Sequence, residues 1–211
     1  MSCANYHVVV GGIAKVFPAI PLLRRQGIAS VLLAYLKSST SVINKPACRM
    51  GLETDVEWIE TNLGPFSQYT TYSDLKAFNL SQATVVGALT EQQKAELILD
   101  PGSGALEDVS FVREVLTSLK LSGKDEQLTQ FFQTFAQISE KENITFITNA
   151  AVREAILNIS LTALAPAFEV FGEQEFQLWF HVYLVPVMPS LRPAYLWVIP
   201  KDISCASYMA M

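Results

Sequence analysis

The sequence predicts an all-α fold, a superhelix of stacked helices. Three observations lead there. Apolar residues recur at spacings of three and four along most of the chain, as one face of a helix requires. Segments of helical length are separated by short Pro, Gly and Ser turns, with almost no strand-like alternation. Many modest helices in such a succession fit a stacked array better than a four-helix bundle. Third, Ser2-Cys3-Ala4-Asn5-Tyr6 is echoed by Ser204-Cys205-Ala206-Ser207-Tyr208, four identities in five positions at opposite ends of the chain. A repeat of about 200 residues is a long unit of a tandem array.

The elements come in this order. Pro21 opens a long helix from Leu22 to Leu36, with Gly27 as a local weakness. Thr54 to Leu63 forms the next, ended by Gly64-Pro65. Ser73 is expected to cap a short helix through Leu75 and Phe78. Thr90-Glu91-Gln92-Gln93 is a capping box, in which the threonine caps and Gln93 reaches back three residues; Asp100-Pro101-Gly102 ends that helix after Leu99. Val109, Val112, Leu116 and Leu119 make one stripe, with Glu107-Asp108 at its favoured acidic end. Leu128, Phe131, Phe132, Phe135 and Ile138 make a second, and Val152, Ile156, Ile159 and Ala163 a third that ends before Pro166. Phe176 to Leu184 is helical, and Pro186, Pro189 and Pro193 punctuate the chain beyond it. Ala194 to Ile199 is either a short helix or an extended piece. The best internal hinge, Gly102-Ser103-Gly104, is only three residues long, so residues 1–211 are expected to be a single unit with 203–211 as the start of the next.

Repeat phase also organises the cysteines. Cys3, Cys48 and Cys205 are an odd number. Within one unit Cys3 pairs with Cys48, and Cys205, as the next unit's first cysteine, stays unpaired. The alternative is three ordinary buried thiols. Three sequons, at Asn79, Asn143 and Asn158, have no proline in the middle and are usable in a secreted protein. Asn143 comes after Glu140-Lys141-Glu142 in a stretch expected to be exposed, whereas Asn158 lies inside a helical pattern and is usable only if its face is solvated.

Composition excludes several classes. Half the residues are apolar and 17% are charged, so the chain can offset the entropy of folding. A net charge of −5 and a single adjacent basic pair, Arg24-Arg25, argue against nucleic acid; that pair is expected on a solvated helix face. The most apolar stretch, Phe176 to Met188, is interrupted by Gln177, His181 and Pro186 and is too short to span a membrane. The N-terminus lacks the basic region of a signal peptide, and the C-terminus lacks a lipid-anchor signal.

No catalytic, cofactor or metal site is expected. His7 and His181 have no partner at metal-ligand spacing, and His181 is expected as a hydrogen-bonded core histidine. Ser122-Gly123-Lys124 lacks the preceding glycine of a phosphate loop, and no Gly-x-Ser-x-Gly elbow exists. The carboxylate pairs Glu140/Glu142 and Glu173/Glu175 are expected to be solvated.

The stretch from Asn62-Leu63-Gly64-Pro65-Phe66 to Asp74-Leu75-Lys76-Ala77-Phe78-Asn79, with the later Leu89-Thr90-Glu91-Gln92-Gln93-Lys94-Ala95-Glu96-Leu97, resembles the mesothelin, stereocilin and otoancorin superfamily. The remainder, from Asp108-Val109 to Ser204-Cys205-Ala206, resembles repeat units of large mesothelin-like fish proteins. The resemblance implies an extracellular or cell-surface, glycosylated, right-handed α-superhelix of the armadillo or HEAT kind for cell–cell or cell–matrix attachment, without catalytic residues. Its expected partners are adjacent repeat units and an extracellular protein or glycan. The rival expectations are an intracellular helical scaffold with reduced thiols, and a structural spacer in a large secreted glycoprotein.

Overall fold

The computed structural model describes residues 2–39, 47–120 and 125–211; the Ser122-Gly123-Lys124 stretch lies outside them. Every regular element among the described residues is helical. The chain forms two compact units, Met1–Gln93 and Lys94–Met211.

The first unit begins with helix α1, Cys3–Lys15, which the hydrophobic pattern did not announce because Gly11-Gly12 interrupts it. Its buried face is only Tyr6 and Val10, so packing and a serine cap hold it where intrinsic propensity is poor. Helix α2, Leu22–Ser39, comes after a turn of 3₁₀ helix at Phe17–Ala19. α2 buries Ala29, Leu32, Leu33 and Leu36 and leaves Leu23 and Val31 in solvent. Helix α3, Asp55–Asn62, starts on Thr54, whose hydroxyl accepts from the Glu57 N–H while the Glu57 carboxylate accepts from the Thr54 N–H. Gly64 then takes φ +52°, and an added Cβ would stand 3.8 Å from both Val10 and Ala14 of α1. The residues Gly64–Tyr69 form a 3₁₀ turn that packs against α1, α2 and α3.

Helix α4, Tyr72–Lys76, is capped by Thr71 and not by Ser73. The cause is Asp74: its carboxylate reaches back to the Thr71 N–H, which fixes the cap three residues earlier. Arg25 also departs from expectation. Arg24 is exposed, but the Arg25 guanidinium sits 4.3 Å from the Phe17 ring centroid, and Nε donates to the Ile20 carbonyl at 2.9 Å. It is a clamp on the α1–α2 connection, using the flat face and fixed donors of guanidinium. Helix α5 is Gln82–Val85, and α6, Glu91–Leu99, starts on the Thr90/Gln93 capping box. The buried Gln93 amide also donates to the carbonyls of Ser67 and Thr70.

Asp55 ties three pieces of this unit together. Its carboxylate pairs with Arg49, accepts from the Ser81 N–H at 2.7 Å and accepts from the Thr84 hydroxyl at 3.0 Å. Partial burial alone would raise its pKa, but these donors outweigh burial and hold it below the usual aspartate value. A carboxyl depressed in the folded state contributes stability above its unfolded pKa of about 3.9 and loses it as pH falls through the lower folded value. Asp55→Asn is therefore expected to cost about 2 kcal/mol at pH 7. Urea midpoints at pH 7 and pH 3 check this: the gap between variant and parent should narrow in acid, and a gap that widened would contradict it.

The second unit is built on helices α7, Val109–Lys120, α8, Asp125–Lys141, and α9, Ala150–Leu164. The Asp108 carboxylate caps α7 by accepting from the N–H groups of Ser110 and Phe111. α7 buries Val112, Val115, Leu116 and Leu119, and α8 buries Phe131, Phe132 and Phe135. Asn149 caps α9, which buries Val152, Ala155, Ile156, Leu157, Ser160, Leu161 and Leu164, while Ile159 and Ala163 of the expected stripe are only half-buried. Arg153 bridges from α9 to its surroundings, donating to the Ile147 carbonyl at 2.6 Å and to the Ser190 hydroxyl at 2.8 Å.

The segment Phe176 to Leu184 is helical but not uniformly so. Helix α10, Glu173–Leu178, widens into a π-helix at Trp179–Tyr183, where the Leu184 N–H donates to the Trp179 carbonyl, five residues back. Trp179, Phe180 and Tyr183 turn inward, and His181 and Val182 face solvent. His181 is thus exposed and not a core histidine: Phe176, Trp179, Phe180 and Tyr183 are buried at helical spacing, and His181 falls on the face away from them. Two 3₁₀ turns come next, Val185–Ser190 and Pro193–Val198, the second resolving the open choice for 194–199 in favour of a helical turn. Helix α11, Cys205–Met209, packs on α10.

Candidate functional site

The two cysteine-bearing elements share one local geometry. At the start of α1 the Ser2 hydroxyl accepts from the Asn5 N–H at 3.3 Å, and the Tyr6 N–H donates to the Ser2 carbonyl at 2.9 Å. At the start of α11 the Ser204 hydroxyl accepts from the Ser207 N–H at 3.0 Å, and the Tyr208 N–H donates to the Ser204 carbonyl at 2.9 Å. In both, serine is the N-cap and cysteine the first helical residue.

Their surroundings differ. Cys3 is bonded to Cys48, with Cα atoms 5.2 Å apart across a sequence separation of 45, while Cys205 is free and exposed. Tyr6 is 1% exposed and Tyr208 67%.

A polar knot backs the disulfide. The Tyr6 hydroxyl donates to the Asn62 carbonyl at 2.7 Å, and the Asn62 amide nitrogen donates to the carbonyls of Trp58 and Cys48. That leaves Asn62 Oδ1 facing His7 Nε2 at 3.1 Å, so the histidine donates there. The Trp58 indole donates to the Ala47 carbonyl at 2.7 Å. Burial, and then the adjoining Tyr35, push the Tyr6 phenol far above the ordinary tyrosine pKa, so it stays a neutral donor. His7 serves structure here. Among the described residues, no three His, Cys, Asp or Glu side chains gather where a metal could sit.

All three sequon asparagines are exposed. Asn79 has φ +54° and precedes Ser81, the N-cap of α5. Asn143 has φ +54° as well and closes α8 in a Schellman arrangement: its N–H donates to the Glu140 carbonyl, and the Ile144 N–H donates to the Ser139 carbonyl at 2.7 Å. Asparagine is the residue after glycine best suited to that left-handed cap. Asn158 lies on the solvent face of α9, while Ser160 of the same sequon is buried with its hydroxyl on the Ile156 carbonyl.

One feature escaped the sequence. A cavity of about 740 Å³ opens in the second unit between the C-terminal half of α8, the turn at Asn143–Thr145 and residues 181–186. Gln133, Gln137 and Glu140 line it from α8 at positions i, i+4 and i+7, which share one helix face. His181, Val185 and Pro186 line it from the other side. Ser139 also borders it and keeps a buried Oγ that has no hydrogen-bond partner among the described residues. The polar row on α8 was readable as the face opposite the phenylalanine stripe. Its counterpart across the cavity was not, since that wall comes from roughly 45 residues further on.

No described helix is long and apolar enough to cross a membrane. Comparison of the chain with protein-family models, with curated proteins and with solved structures finds no match.

Proposed function

We propose that the chain is a non-enzymatic module of an extracellular or cell-surface helical repeat array of the armadillo or HEAT kind, and that it mediates cell–cell or cell–matrix adhesion. One observation carries most of the weight: the serine-capped, cysteine-first helix start occurs twice, bridged at Cys3 and free at Cys205. In an array the second start would belong to the next unit, where Cys205 would find the counterpart of Cys48. An oxidised pair fits a secreted or surface protein better than a cytosolic one. The exposed positions of Asn79, Asn143 and Asn158 suit glycosylation in the same compartment. Adhesion itself rests on the resemblance of residues 62–97 to the mesothelin superfamily.

Beads coated with the chain, secreted from animal cells, are expected to cluster with one another or to be retained on cells or matrix above beads coated with serum albumin. Retention equal to albumin in all three settings would remove the adhesive role and leave a spacer.

A further inference from the structure

We infer that the cavity beside α8 is a cradle for the proximal N-acetylglucosamine residues of a glycan carried by Asn143. The inference rests on the extracellular proposal above, which supplies the glycan. In that chemistry a lipid-pyrophosphate oligosaccharide is the donor: the Asn143 Nδ2–C1 bond forms, the C1–O bond to pyrophosphate breaks, and an amide proton leaves with the pyrophosphate.

The geometry favours this occupant over any free ligand. Asn143 and Thr145, the two residues a sequon requires, are both part of the cavity wall. A sugar on Asn143 Nδ2 therefore starts at the mouth, and its docking is intramolecular, with the effective concentration that tethering confers. The Schellman turn fixes the Asn143 backbone, so little further ordering is needed at the point of attachment. The volume, about 740 Å³, lies within the range of small-molecule sites, roughly 300–1,000 Å³, which are apolar with a few convergent polar groups. Gln133, Gln137 and Glu140 offer donors and acceptors to a rim of sugar hydroxyls, and Val185 and Pro186 offer apolar surface to the ring face and the acetyl methyl. Asn79 and Asn158 are exposed too, but neither borders this cavity.

The test is the rate at which N-glycanase releases each glycan from the native, full chain secreted by animal cells, monitored by glycopeptide mass spectrometry. A glycan docked nine-tenths of the time is cleaved about tenfold more slowly, because only the undocked fraction is available. Asn143 is expected to show at least that protection relative to Asn79 and Asn158, and to lose it after denaturation. Gln137→Trp, at an exposed position of α8, blocks the cavity and should bring Asn143 to the rate of the other sites. Asn143→Gly, which keeps the left-handed turn but carries no sugar, should melt below the glycosylated parent. An occupied Asn143 cleaved as fast as Asn79 in the native chain overturns the cradle and leaves the glycoprotein proposal standing, as does protection that survives in Gln137→Trp. Occupancy at Asn79 or Asn158 with none at Asn143 also overturns the cradle alone. No glycan at any of the three overturns both.

Discussion

Replacing both bridged cysteines, Cys3→Ala with Cys48→Ala, is expected to destabilise the first unit by about 4 kcal/mol, the chain-entropy value for a closed loop of this length. The separation of 45 residues is what makes the effect large, since the open chain has correspondingly more freedom to lose. The polar knot around Asn62 sharpens the expectation. Tyr6 and His7 reach Asn62 from the first turns of α1, and Trp58 holds the Ala47 carbonyl beside Cys48. Without the bridge, these hydrogen bonds and the burial of Tyr6 and Val10 must keep α1 in place. Urea unfolding followed by tryptophan fluorescence checks it, Trp58 reporting on the first unit and Trp179 and Trp197 on the second; a loss under about 1 kcal/mol would mean that packing, and not the cross-link, anchors α1.

Phe132→Ala is expected to cost the second unit about 3–5 kcal/mol. Phe132 is fully buried, and its ring centroid lies 5.0 Å from Phe131, 5.7 Å from Phe135 and 5.5 Å from Trp179. Truncation removes the transfer free energy of the ring and leaves a void among three large aromatics that cannot collapse without moving one another. The contact with Trp179 links α8 to the π-helix, so near-ultraviolet circular dichroism should weaken along with stability. Phe131→Leu, in the same cluster, keeps most of the volume and should cost distinctly less. Equal losses for the two substitutions would mean that the aromatic cluster is not packed as described.

Helix starts were the most legible part of the chain. Thr90 with Gln93 forms the reciprocal hydrogen bonds of a capping box, a purely local device that spacing alone reveals; Thr54 with Glu57 forms the same box where the sequence marks only the start of a helix. The phenylalanine stripe of α8 was legible for a similar reason: three residues at helical spacing have one inward face to share. Where two local signals competed, the stronger acceptor won. Asp74 selected Thr71 as the cap of α4, and Ser73, closer to the apolar residues, lost that role.

Features set by distant contacts were not legible. α1 forms across Gly11-Gly12 because Tyr6 and Val10 are buried and Ser2 caps it, none of which local propensity weighs. Arg25 looked like half of a solvated basic pair until the chain reversal brought Phe17 beneath it. His181 has apolar neighbours in sequence but lies off the face shared by Phe176, Trp179, Phe180 and Tyr183, which composition alone does not reveal. The candidate sites divide the same way. The cysteine pairing came from the recurrence of Ser-Cys-Ala at both ends, and the sequons come from three residues each. That Asn143 borders a cavity depends on residues 181–186, which no local pattern connects to it.

A unit of an extracellular array, as proposed for this chain, would be cross-linked at Cys3–Cys48 and glycosylated. Intact mass of the protein secreted from animal cells, before and after N-glycanase and before and after reduction with alkylation, tests it most directly. The expected result is a mass that falls on N-glycanase treatment, a Cys3–Cys48 cross-linked peptide and one alkylatable thiol, Cys205, in the native chain. An unmodified mass with three alkylatable thiols would contradict it and leave an intracellular helical scaffold in its place.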